Sequence, residues 1–156
     1  MSRTNGAHSS HCQTNAVFFS SSLPLPPSVN YAYQIVRSRR GAMRMVSTST
    51  LRRFKWEALA WLVRASICNE DVMRRLYEQR GKFPLSVELR FYLPYLWRQE
   101  LDDPVRAALD AAFDYLGLND SQVVDLHVQK FLDASNPRAE IEISCPDALL
   151  VGESAE

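Results

Sequence analysis

Three stretches of the chain hold residue types that could do chemistry at a usable spacing. His8, His11 and Cys12 form a His-x-x-His-Cys run, three ligands of the kind zinc takes, but no second cluster downstream completes a tetrahedral set. Asp102 and Asp103 are adjacent carboxylates of the sort that share a proton or a cation. Pro104 follows them, however, and acidic residues ahead of a proline are what opens a helix. His127, the last of three histidines, stands between Leu126 and Val128 with no nucleophile patterned to it. Acid–base and nucleophilic catalysis need a base within reach of a nucleophile, so His127 reads as a partly buried core histidine. Five glycines and no Gly-rich loop argue against nucleotide-binding fingerprints. The expectation is a chain without a catalytic residue, metal or cofactor, and not an enzyme.

Charge is distributed unevenly. The formal net charge is zero, yet residues 1–56 carry eight basic side chains and no acidic one, while the remaining hundred hold ten basic and all eighteen acidic residues. A cationic head on an anionic body marks a tail with its own partner or address. Cys12, Cys68 and Cys145 are an odd, scattered set that fits free thiols in a reducing compartment. No apolar run reaches the roughly 18–20 residues of a membrane span, and no membrane partner is expected.

Residues 1–49 are rich in Ser, Thr, Asn and Pro, with Pro24, Pro26 and Pro27 in the middle, and read as a disordered tail. Two further readings attach to this head. Arg- and Ser-rich and free of acids, it is similar to a mitochondrial transit peptide. Arg37, Ser38, Arg39 and Arg40 also form a patch suited to nuclear import or to a polyanion.

Residues 50–136 carry helical punctuation. Leu51, Phe54, Leu59, Leu62 and Val63 approximate one apolar face, with Trp56 and Trp61 at its borders. Asn69 is a good cap for a second helix that buries Val72 and Leu76 and ends at Gly81. Leu89, Leu93 and Leu96 suggest a third helix, kinked at Pro94. Asp102 opens a fourth, with Val105, Ala108, Leu109, Ala112, Phe113 and Leu116 inside and Gly117 at its close. Val123, Val124, Leu126, His127, Phe131 and Leu132 outline a fifth. The fold class expected is all-α, a compact bundle of about five short helices with a kinked central one. Residues 137–156 read as an irregular or truncated tail, although Glu140, Ile141, Glu142, Ile143 and Ser144 alternate like a lone strand with no partner.

On the third helix Phe91, Tyr92, Tyr95 and Trp97 crowd together with Arg90 and Arg98. Four rings cannot all face inward, and exposed aromatics with arginine dominate binding hot spots.

In this segment Leu76 and Tyr77, the Phe83 and Pro84 corner, Glu88, Arg90, Tyr92, Leu93, Trp97 and Glu100 resemble the N-terminal domain of the signal transducer and activator of transcription (STAT) family. Trp56 or Trp61 takes the place of that domain's leading tryptophan. Departures are two extra residues before Phe83, two before Glu88, and Trp97 one position late. The resemblance implies a helical protein-interaction module that self-associates into dimers and tetramers in cytokine-type signal transduction and transcription regulation. It implies Glu88, Arg90, Tyr92, Tyr95 and Trp97 as interaction residues, Leu76, Tyr77, Phe83, Pro84 and Leu93 as core, and a fragment or stand-alone domain. Expected partners are a second copy and other signalling or transcription proteins, with no nucleic-acid contact by the acidic helical body. The expected location is cytoplasm and nucleus, with mitochondria as the alternative. Rival readings are a death-fold adaptor and a small mitochondrial helical protein.

Overall fold

The computed structural model describes residues 15–27, 33–79, 82–96 and 101–146. In chain order the elements are β1 (Asn15–Leu23), β2 (Tyr33–Arg37), β3 (Met43–Ser47), α1 (Ser49–Ala65), β4 (Ile67–Cys68), α2 (Glu70–Glu78), β5 (Leu85–Leu93), α3 (Asp102–Leu116), a 3-10 turn (Asp120–Gln122), β6 (Val123–Leu132) and β7 (Arg138–Pro146). Five strands make one mixed sheet in the order β4-β1-β7-β5-β6, and β2 pairs with β3 in a separate ribbon. The chain is mixed α/β, so the all-α expectation is wrong.

Alternation explains the sheet. β5 buries Leu85, Val87, Leu89, Phe91 and Leu93 and keeps the residues between them half-buried on the other face. β7 does likewise with Ala139, Ile141, Ile143 and Cys145. The registers place Leu89 opposite Ile141 and Phe91 opposite Ala139, and Leu23 on β1 also meets Ala139. Every side chain of this set therefore points to one face. Buried residues of the helices join the same core: Leu51, Phe54, Ala58 and Leu62 of α1, Val72, Met73 and Leu76 of α2, and Ala108, Ala112, Phe113 and Leu116 of α3. Each large side chain removed from water here contributes about 1.5–3 kcal/mol. The result is two layers, helices on one face of a sheet whose second face is polar.

Two expected helices are strands. Residues 85–93 form β5, where Pro94 follows the last paired residue and does not kink a helix. Residues 123–132 form β6, parallel to β5, with α3 as the crossover between them. Leu89 and Leu93 are four apart, which satisfies a helix, but they are also two steps of a strict two-residue alternation begun at Leu85. The expected disordered tail is corrected as well. Residues 15–23 are β1, antiparallel to β7 over eight paired positions, with a bulge between Val17 and Phe19 that lets both Phe18 and Phe19 reach the interior. Within the tail expected to be irregular, residues 138–146 are β7, the strand that joins β1 to β5.

Local signals for the helices hold. Asn69 Oδ1 accepts from the amides of Asp71 and Val72, and its own amide donates to the Phe18 carbonyl at 2.8 Å, which ties the start of α2 to β1. Gly117 closes α3 in the left-handed region at φ 67°. The Tyr77 hydroxyl donates to the Leu116 carbonyl at that same end.

Candidate functional site

The second face of the sheet gathers the polar residues of three strands. Glu88 of β5 stands directly opposite Glu142 of β7, and Arg90 stands opposite Glu140. Like charges facing each other across a sheet are unfavourable. Arg90 resolves this. Its Nη1 donates to Glu88 Oε1 at 3.2 Å, its Nη2 to Glu142 Oε1 at 2.9 Å and its Nε to Glu140 Oε2 at 3.4 Å. The bond to Glu142, with the charges of all three glutamates, pushes the Arg90 guanidinium above its ordinary range although burial opposes the shift.

Arg138 extends the network. Its Nε donates to Glu140 Oε1 and its Nη1 to Asp133 Oδ2, each at 3.0 Å. Its guanidinium lies 3.9 Å over the Tyr92 ring, which is stacked in turn on Phe131 at 5.2 Å. Asp133 organises the link between β6 and β7. Its Oδ1 accepts from the Ser135 hydroxyl at 2.8 Å and from the amides of Ser135 and Asn136 at 3.2 and 3.1 Å. Hydrogen bonds from Ser135, Arg138 and Asn136 hold its carboxyl below the ordinary carboxylate range. The donors and acceptors of this face are spent on one another, which suits rigidity more than ligand capture.

The other charged surface has the opposite character. From 33 to 65 the chain carries eight basic residues and one acidic residue, Glu57. Arg37 on β2, Arg39 and Arg40 in the turn, and Arg44 on β3 are all exposed, and Gly41 makes that turn at φ 79°. Ile35, Met43 and Met45 of the ribbon are also exposed, at 66%, 68% and 71%. The ribbon runs through Thr48, whose side chain caps α1, straight into that helix. Arg52, Arg53, Lys55 and Arg64 are exposed on α1, as is Trp56; among the described residues Arg53 is the only one of these in an ion pair, to Glu57 at 3.0 Å, while Lys55 acts on Asp110 through its charge. The first turn of α1 holds no acidic residue. Cations near a helix start oppose the macrodipole, so α1 sustains this charge against its own stability.

Of the residues singled out in the sequence, Glu88, Arg90 and Tyr92 share the polar sheet face as alternate residues of a strand, not as turns of a helix. Tyr95 lies past the strand end, 76% exposed. Trp97 falls outside the described residues, as do Glu100, Gly81, His8, His11 and Cys12. Leu76 and Leu93 are core, Phe83 is half-buried, and Pro84 and Tyr77 are exposed. His127 is exposed on β6 opposite Glu88. α3 begins at Asp102, but its cap position is Leu101, no side chain caps it, and Pro104 is its third residue, so the Asp102 and Asp103 pair does not cap the helix as expected. Sequence reasoning missed Arg138, Glu140 and Glu142, whose only signal was the alternation after Pro137, and Asp133, in the link before it, which carried no signal. Among the described residues no group of three or more His, Cys, Asp or Glu could hold a metal.

No family model and no curated protein matches the chain. Among solved structures it is similar to 2C-methyl-D-erythritol 2,4-cyclodiphosphate synthase from Plasmodium vivax, at 11% identity over 84% of this chain and 93% of that one, with a TM-score of 0.26. A likeness so low says nothing of activity. The STAT resemblance is overturned by the fold, since its motif residues lie on β5 of a mixed sheet. The death-fold reading, also all-helical, falls for the same reason.

Proposed function

We propose that the chain binds nucleic acid through the cationic ribbon and the exposed side of α1. The observation that carries this reading is the eight-to-one excess of basic over acidic residues from 33 to 65, on exposed side chains. A two-stranded ribbon is slim enough to enter a nucleic-acid groove, and guanidinium groups recognise phosphates in bidentate fashion. An anion near the start of α1 would relieve the charge that the helix dipole disfavours there. The boundary between the basic head and the acidic body, drawn after residue 56, moves on this reading to the end of α1.

The test is oligonucleotide binding by fluorescence anisotropy across salt concentrations. Log affinity for duplex should fall with log salt at a slope of about four to six, since each engaged cation contributes about 0.9. Replacing both Arg39 and Arg40 with Ala should lower affinity at least roughly tenfold and reduce the slope by about two. Absence of binding at low salt, or binding indifferent to the double variant, would remove the reading.

A second reading, association with protein without any chemistry, is favoured by one observation, the exposed apolar side chains along the outer strand β6.

A further inference from the structure

We propose that two copies of the chain join through the outer edge of β6, in an antiparallel twofold pairing that continues the sheet from one copy into the other. This rests on the second reading above and names its partner as a second copy.

β6 is ten residues long and, among the described residues, pairs on one side only, with β5. The opposite end of the sheet is closed by β4, only two residues long. Natural sheets blunt exposed edges with short strands, proline, charge or bulges. β6 has no proline, and Asp125 and Lys130 are its only charged residues. Its one irregularity is at Val124, because Leu85 pairs with Val123 and Ser86 with Asp125. From Asp125 onward the strand is regular, and Leu126, Phe131 and Leu132 are 41%, 39% and 62% exposed.

Parity and charge select the register. Residues opposed in an antiparallel pair project to the same face. Even-numbered residues of β6 continue the face of Val87 and Leu89, and odd-numbered ones that of Glu88 and Arg90. Pairing centred on Gln129 sets Leu126 opposite the second copy's Leu132, His127 opposite Phe131, Val128 opposite Lys130 and Gln129 opposite itself. Between 126 and 132 no like charges meet; one step further Asp125 falls opposite the second copy's Asp133, whose charge is already taken by Arg138 at 3.0 Å, and the twofold axis repeats each favourable pair. Centring on Val128 sets Leu126 against Lys130 and Asp125 against Phe131. Centring on His127 leaves Leu132 beyond the last regular partner. Only the Gln129 register matches leucine to leucine and ring to ring.

Sedimentation of the full chain over a wide concentration range tests this, with Leu132→Glu, Gln129→Cys and Asp125→Cys alongside. The expected result is a reversible species of twice the 17.8 kDa chain mass. Leu132→Glu should weaken it about 100-fold, since symmetry places the misplaced charge at the interface twice. Gln129→Cys should give a covalent dimer on mild oxidation, its two Cα atoms lying within disulfide reach, and Asp125→Cys should not. A mass fixed at one chain, or a dimer that survives Leu132→Glu and leaves Gln129→Cys uncrosslinked, would overturn the proposal. Should Leu132→Glu fail to fold by circular dichroism, the Gln129→Cys crosslink decides. A monomer that still binds oligonucleotide would retire this proposal and leave the ribbon reading standing; a dimer that ignores oligonucleotide would do the reverse.

Discussion

Arg90 on β5 donates to three glutamates, and Arg138 beside it to a glutamate and an aspartate. Arg39 and Arg40, in the turn of the ribbon, sit in a stretch whose first acidic residue is Glu57. One residue type thus works in two ways within a chain of zero net charge. On the sheet the guanidinium is consumed internally and holds strands together. On the ribbon it is exposed to solvent, where an outside anion can reach it. Net charge, being a sum, conceals this division.

The sharpest way to break the contrast is to remove one arginine from each region. Arg90→Ala leaves Glu88 facing Glu142 with no cation between them, and should destabilise by about 2–3 kcal/mol in urea unfolding, somewhat less than for a fully buried pair. A loss under 0.5 kcal/mol would show that the sheet network is as dispensable as the ribbon. Gln122→Ala comes next. Gln122 is 7% exposed, donates to the Phe83 carbonyl at 3.3 Å and accepts from the Asn119 amide at the same distance. Its removal leaves both backbone groups short of a partner and should lower stability by about 1–2 kcal/mol in the same assay.

Asp133 sharpens the comparison through pH. Its folded pKa is lowered, so its contribution is present above the ordinary carboxylate value of about 3.9 and is lost as pH falls through the folded value. Asp133→Asn should therefore lower the urea midpoint at neutral pH, and the gap to the unaltered chain should close in strong acid. A gap that persists there would assign the effect to shape and not to charge. The smallest effect belongs to the ribbon. Arg39→Ala combined with Arg40→Ala should leave stability within about 0.5 kcal/mol, and a larger loss would mean that the ribbon's charges have folding partners after all.

What was legible in the sequence follows from the range of the forces involved. α1 announces itself through three- and four-residue spacing, α2 through its Asn69 cap and α3 through its spacing and the closing Gly117, all local. Leu51, Phe54 and Leu62 were found as core, although Leu59 and Val63, expected beside them, are 40% and 66% exposed. The strands are harder to read because a two-residue alternation is meaningful only beside a paired strand. In β5 the leucines at 89 and 93 satisfied a helix, while Val87 and Phe91 between them carried the deciding period. The alternation of β7 is visible in the sequence, but its partners β1 and β5 carry the patterns of a tail and a helix, so the strand reads as having no partner. The polar network went unread for the same reason, since Arg90 and Glu142 meet only across paired strands. The ribbon's charge needed no pairing to be noticed.

The order of strands has a consequence for synthesis on the ribosome. β7 lies between β1 and β5, yet it is the last strand of the sheet to be translated. Until residue 146 has emerged, β1 has only the two residues of β4 beside it, and β5 can hold only β6. The nascent chain must carry two half-sheets with exposed inner edges, which are the surfaces chaperones guard. A stop codon anywhere before residue 138 would remove the strand that joins the halves.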